Sequence, residues 1–184
     1  MSSSKAVFLD TEVFKGPRFS TVNILDIRTH FKPTETFQYT HFSTCHPLNT
    51  KKGFIKGEAL RLLRTNSVKE NFENFKRDFE QRLYKRGYPV TLVKNILSDV
   101  RFENRKEALR SKPKQRNEIL PFVTTYNPAV PNLKKILMKH WHIIQNQPSL
   151  AQIFKHEPIV SYRKEKSLKD ILVRAKIPSI KPQS

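Results

Sequence analysis

Residues 6–14, AVFLDTEVF, alternate. Val7, Leu9, Thr11 and Val13 fall on one face, and Phe8, Asp10, Glu12 and Phe14 on the other. A period of two predicts a strand. Lys15-Gly16-Pro17-Arg18 is a turn signal. Residues 19–31 are rich in β-branched and aromatic side chains. The two stretches together predict a β-hairpin, which as a two-stranded ribbon needs a surface to pack on.

Further along, the period changes to that of a helix. Residues 33–49 are irregular, and Lys51-Lys52-Gly53 reads as a basic loop. Residues 56–65 predict a short helix with Leu60 and Leu63 inward. The clearest helix follows: Val68, Phe72, Phe75, Phe79 and Leu83 recur at helical spacing. Ser67 and Glu70 have the spacing of a capping box at its start. Gly87 stops it, and Pro89 suits the first turn of another helix, over roughly 89–110, that buries Val93, Ile96, Leu97 and Val100. Helix, short turn, helix is therefore the reading of 67–110. Residues 111–118 form a charged loop, 119–126 a strand, and Pro131 opens a helix with Leu133, Ile136, Leu137, Trp141 and Ile144 on one face. A helical turn is expected over 149–154 and a short helix from Ser167, carrying Leu168, Ile171 and Leu172. The tail 178–184 is expected to be disordered.

The fold class is thus α+β, mainly α: a β-hairpin, a basic helical bundle with a helix-turn-helix, and a second short helical segment. The divisions are 1–50, 51–118, 119–177 and the tail 178–184.

Charge narrows the function. The chain has 184 residues, with 35 Lys and Arg against 16 Asp and Glu, a formal net charge of +19. The excess lies beyond residue 50: residues 51–118 hold 19 basic and nine acidic side chains. Such a body attracts polyanions at long range. The single Cys45 excludes an internal disulfide and points to a reducing compartment. No apolar run reaches membrane-spanning length and no signal core opens the chain. The expected location is intracellular, nuclear or cytoplasmic, not secreted. The expected partner is nucleic acid, as an RNA–DNA hybrid or duplex DNA, with no membrane and no small-molecule substrate.

Arg61, Arg64, Lys76, Arg77, Arg86 and Lys94 are the candidate phosphate contacts, because each cation placed on a phosphate releases counterions. The competing view is a solvated helix surface with pairs such as Glu73–Arg77. A DNA reader of the helix-turn-helix type would present Lys94, Arg101, Arg105 and Arg110 from its second helix. His41, Cys45, His46, His140 and His142 lack the spacing of a zinc site. Asp10 and Glu12 sit on one strand face, where paired carboxylates can hold magnesium, but no base or phosphate loop accompanies them. Neither catalytic residues nor metal ligands nor cofactors are assigned.

Several stretches occur in a telling order: Phe8-Leu9-Asp10; Phe31-Lys32-Pro33-Thr34; Gln38-Tyr39; Cys45-His46-Pro47; Lys51-Lys52-Gly53; Ala59-Leu60-Arg61-Leu62 with Arg64; and Arg86-Gly87-Tyr88-Pro89. Pro121-Phe122-Val123-Thr124-Thr125-Tyr126-Asn127-Pro128, Trp141, Phe154, Tyr162-Arg163 and Leu172-Val173-Arg174 follow. Over about residues 6–176 this resembles the region downstream of the catalytic palm in Penelope-like retroelement reverse transcriptases. The resemblance implies that residues 6–31 are the last palm strands. It implies that 54–110 are a helix-turn-helix thumb gripping template–primer duplex, and that 119–176 are a connector. It also implies that the palm aspartates lie before Phe8 and a GIY-YIG endonuclease after Arg174, so that the chain is a binding fragment and no enzyme by itself. Thr65-Asn66 stands where the family has a Cys-bearing turn. The alternatives are a protein-interaction module or inert remnant, and, third, a metal-dependent nuclease on Asp10 and Glu12.

Overall fold

The alternation of residues 6–14 breaks at its centre. In the computed structural model, β1 (Lys5–Phe8) and β2 (Thr11–Phe14) pair antiparallel around a two-residue turn, Leu9-Asp10. Leu9 takes a φ of 54°, a value that glycine tolerates far better. The expected hairpin turn at residues 15–18 instead starts a helix. Pro17 supplies the fixed φ of a first helical turn, and α1 (Pro17–Val22) takes the first four residues, 19–22, of the predicted second strand. The strand that remains, β3 (Asp26–Thr29), pairs with β2 in register Thr11↔Thr29 to Phe14↔Asp26, giving the sheet order β1-β2-β3.

The structure describes residues 5–110, 121–130, 132–163 and 172. They fall in two compact units, Met1–Lys114 and Gln115–Ser184. The fold is α+β and mainly α. The first unit continues with α2 (Leu48–Thr65), α3 (Lys69–Lys85), α4 (Val90–Ser98), a 3-10 turn (Phe102–Asn104) and α5 (Arg105–Leu109). Two expectations change here. Lys51-Lys52-Gly53 lies inside α2, not in a loop, because the helix starts directly after Pro47. The single helix over 89–110 is two, divided at Asp99 to Arg101.

Ile55, Ala59, Leu62 and Leu63 of α2 meet Phe72, Phe79 and Leu83 of α3 and Val93 and Leu97 of α4 in one core. Tyr88 and Val100 close its ends. Phe75 packs on this core only in part, with its ring centroid 5.5 Å from Phe31.

Residues 1–50 and 51–118 do not part company at residue 50. Asn66, fully buried, accepts from Thr29 N at 3.1 Å and donates to Thr29 Oγ1 and to Leu62 O, both at 2.8 Å. Ser67 N donates to Ile27 O at 2.9 Å, and Ser67 Oγ accepts from Ile27 N at 2.8 Å and donates to Asp26 at 2.7 Å. The corner between α2 and α3 is thus hydrogen-bonded onto β3. This also overturns the capping box: Ser67 serves β3, α3 is preceded by Val68, and no side chain caps it. Gly16 is required where it is, since a Cβ there would lie 2.4 Å from Asp26 Oδ2.

In the second unit, β4 (Pro121–Thr125) pairs in parallel with β5 (Ile159–Arg163), a strand that periodicity did not reveal. Between them run α6 (Leu133–Gln145), whose Asn132 side chain caps Lys134 N, and α7 (Pro148–Ile153). Trp141 is buried here, 6.0 Å from the Phe154 ring. The helix expected from Ser167 and the tail 178–184 lie outside the described residues.

Candidate nucleic-acid interface

The α3–α4 turn is held from two directions. Gly87 has φ +76°, Tyr88 N donates to Leu83 O and Gly87 N to Tyr84 O, the paired bonds of a glycine-terminated helix. A strap from the preceding loop then covers it. Phe42 N donates to Arg86 O at 2.9 Å, the Phe42 ring lies 5.2 Å from that of Tyr88, and His41 fills the space beside Gly87. Lys51 ties the strap to α2, donating to Phe42 O at 2.5 Å and Thr44 O at 2.8 Å.

On this scaffold the predicted phosphate contacts divide into two groups. Arg61 is engaged: Nε and Nη2 bond Glu58 at 3.0 and 2.6 Å, and Nη1 bonds Asp10 at 3.0 Å. The Glu58 hydrogen bond, more than the added pull of Asp10, raises the Arg61 pKa against the effect of burial. Arg64 Nε donates to Ala108 O at 2.9 Å, and Lys76 Nζ to Val100 O at 2.9 Å. These three join elements of the unit together. Arg77, Arg86 and Lys94 form no ion pair among the described residues; the Glu73–Arg77 bridge that spacing permits is not made.

Of the residues expected on the second helix, Arg105 turns inward. It donates to Leu63 O and Arg64 O, the last carbonyls of α2, where a cation complements the helix dipole. Burial first, and then Arg18 nearby, lower its pKa, with Asp26 opposing. The exposed face of α4 carries Thr91, Lys94, Asn95 and Ser98.

The extension of α2 adds cations that the sequence pattern placed in a loop. Lys52 and Lys56, one helical turn apart, are exposed beside Gly53 and Gly57. A Cβ at either glycine would meet nothing within 4 Å, so this face is bare backbone flanked by ammonium groups. The i,i+4 spacing of the two lysines was the available signal. The glycines hid it, because each costs a helix about 1 kcal/mol relative to alanine. Lys85, also exposed, completes the set on α3.

The other candidate chemistry is accounted for. Asp10 is taken by Arg61, and Glu12 by Arg28 at 2.9 Å and Lys5 at 3.8 Å. His41 Nδ1 meets Ser43 Oγ, His46 Nδ1 meets Thr44 Oγ1, and Cys45 is exposed. Among the described residues no group of three or more His, Cys, Asp or Glu is placed to hold a metal ion. No helix among them is long and apolar enough to cross a membrane.

Residues 38–98 match the family model of the animal helix-turn-helix domain. The matched span runs from the strap through α2, α3 and the turn to the end of α4. Within it stand 12 Lys and Arg against five Asp and Glu. This part of the chain is a basic domain containing a helix-turn-helix. No curated protein and no solved structure matches the chain.

Proposed function

We propose that the first unit grips a nucleic acid duplex through its phosphate backbone, as the thumb-like part of a Penelope-like retroelement reverse transcriptase. It acts by binding, not by catalysis. The observation that carries this reading is the second group of cations. Lys52, Lys56, Arg77, Lys85, Arg86 and Lys94 make no ion pair among the described residues, although five acids lie in the same helix-turn-helix region. Cations that serve only folding engage carboxylates and carbonyls, as Arg61, Arg64 and Arg105 do. The ordered motifs from Phe8 to Arg174 support the retroelement assignment. An RNA–DNA hybrid or duplex DNA is the expected ligand.

The test is affinity for hybrid, duplex DNA and heparin across a salt series. Joint replacement Lys52→Ala, Lys56→Ala and Lys94→Ala should weaken duplex binding. It should also flatten the plot of log K against log salt by about 0.9 for each phosphate no longer neutralised. The melting temperature should hold. Arg61→Ala is the wrong probe, because it also releases Asp10 and Glu58. Duplex bound no better than heparin, with a slope unchanged in the triple variant, would leave an interaction module or remnant whose charge serves solubility alone.

A further inference from the structure

A pocket of about 550 Å³ opens beside the β1–β2 turn, between residues 30–39 and α2. Its volume is in the range of small-ligand sites. Two of the three non-glycine residues with positive φ among those described, Leu9 at 54° and Phe37 at 52°, line it. Large L side chains rarely adopt such values, and they persist where the surroundings enforce them. At Phe37 the enforcement is visible. Its N–H donates to Glu35 Oε1 at 2.9 Å, its carbonyl accepts from Tyr39 N at 2.8 Å, and the Arg82 guanidinium lies 3.4 Å from its ring centroid. The Phe31 ring meets it edge-on at 4.9 Å. The pocket therefore has a fixed aromatic wall, suited to a flat ring.

The carboxylates of the lining favour one kind of ring. Both oxygens of Glu58 are occupied by Arg61, whereas among the described residues Glu35 accepts one hydrogen bond, from Phe37 N, and Asp10 one side-chain bond, from Arg61. An ionised carboxylate has about four lone-pair sites, so either group can still accept two adjacent donors, and neither can donate. A base fits such groups if its edge offers adjacent N–H donors and no acceptor opposite them. Guanine does, through N1–H and N2–H. Adenine and cytosine pair each donor with an acceptor, and uracil flanks its single donor with two. Lys32, an exposed residue of the lining, supplies a cation for a phosphate.

We propose that this pocket takes an unpaired guanine nucleotide, with the base against Phe31 and Phe37, its donor edge on Glu35 or Asp10, and its phosphate at Lys32. The nucleotide arrives as part of a strand held by the helices, so the inference rests on the nucleic-acid reading above and deepens it.

The test uses the full chain and short oligouridylates carrying one internal G, A or C, or none, with GMP, AMP and a blunt duplex as separate arms. The G-containing strand should bind about tenfold more tightly than the other three, the order of one hydrogen bond to a charged group. Glu35→Gln, which keeps the acceptor for Phe37 N, combined with Asp10→Asn, should abolish that preference. Phe37→Ala should abolish it too, while blunt-duplex affinity is unchanged. Equal binding of all four strands and of GMP and AMP would overturn the proposal, as would a guanine preference that survives the double carboxylate variant. GMP preferred over AMP with the same dependence on these residues, but no preference among strands, would assign the site to a free nucleotide. Guanine preference without duplex binding would sink the interface reading and leave the pocket standing.

Discussion

At the corner between α2 and α3, Asn66 and Asp26 have no exposed surface, and each polar group of their side chains has a partner. Further back along the same α2, Lys52 and Lys56 stand in solvent with no ion pair among the described residues. Both regions are rich in polar side chains, yet they obey different rules. A buried polar group left without its partner loses its full hydration, so the corner is set for stability. An exposed cation loses little when removed, so the outer face is open to serve a ligand. Charge count alone cannot tell these apart. Arg61 and Arg64 sit in the more basic half of the sequence, but they belong with the corner.

The largest effect that would sharpen this contrast lies beneath both regions. Phe72→Ala should destabilise the first unit by about 3–5 kcal/mol in urea unfolding, and Phe75→Ala by clearly less, since Phe72 is fully buried and Phe75 only partly. Equal losses would mean that the aromatic layer over Phe31 matters as much as the helical core.

Next comes the corner itself. Asn66→Ala strands Thr29 N–H and the Leu62 carbonyl and should cost about 2–3 kcal/mol, with duplex affinity at low temperature unchanged. A loss of affinity without loss of stability would contradict the division between corner and outer face.

Asp26 gives the contrast a pH dependence. Burial pushes its carboxyl up, but hydrogen bonds from Ser67 and Arg18 outweigh this and hold it below the ordinary 3.8. A lowered carboxylate contributes stability that is present above its ordinary pKa and is lost as pH falls through the folded value. Stability should therefore drop below about pH 4. Asp26→Asn should lower it at neutral pH and flatten the acid limb. Glu12, lowered chiefly by the Arg28 hydrogen bond, acts in the same sense, so some slope should remain.

The smallest effect belongs to the outer face. Gly57→Ala meets no neighbour within 4 Å and should stabilise α2 by up to about 1 kcal/mol in thermal unfolding. If phosphates approach the bare backbone there, the same variant should weaken duplex binding despite its gain in stability. Unchanged affinity would assign phosphate binding on this face to the lysines alone.

Much of the helical part was legible in the sequence. Val68, Phe72, Phe79 and Leu83 repeat with the helical period, and Gly87 ends α3 as anticipated, through a positive φ that other residues resist. The strands were less so. Residues 19–31 have the composition of a strand, but Pro17 at a helical first turn and the inward Asp26 divide them into α1 and β3. Residues 159–163 join a sheet only through a partner 38 positions away, as in Thr125↔Arg163. The site was half legible. Basic residue types were visible, but their partners were not.

The polyanion-seeking charge, the helical core and the helix-turn-helix follow from residue pattern, because charge is additive and amphipathic periods act locally. Which cations remain available follows from packing. Whether Arg61 faces Asp10 or Arg105 faces the end of α2 depends on groups some 40–50 positions apart in the chain. Such pairings follow from packing, which no local pattern encodes.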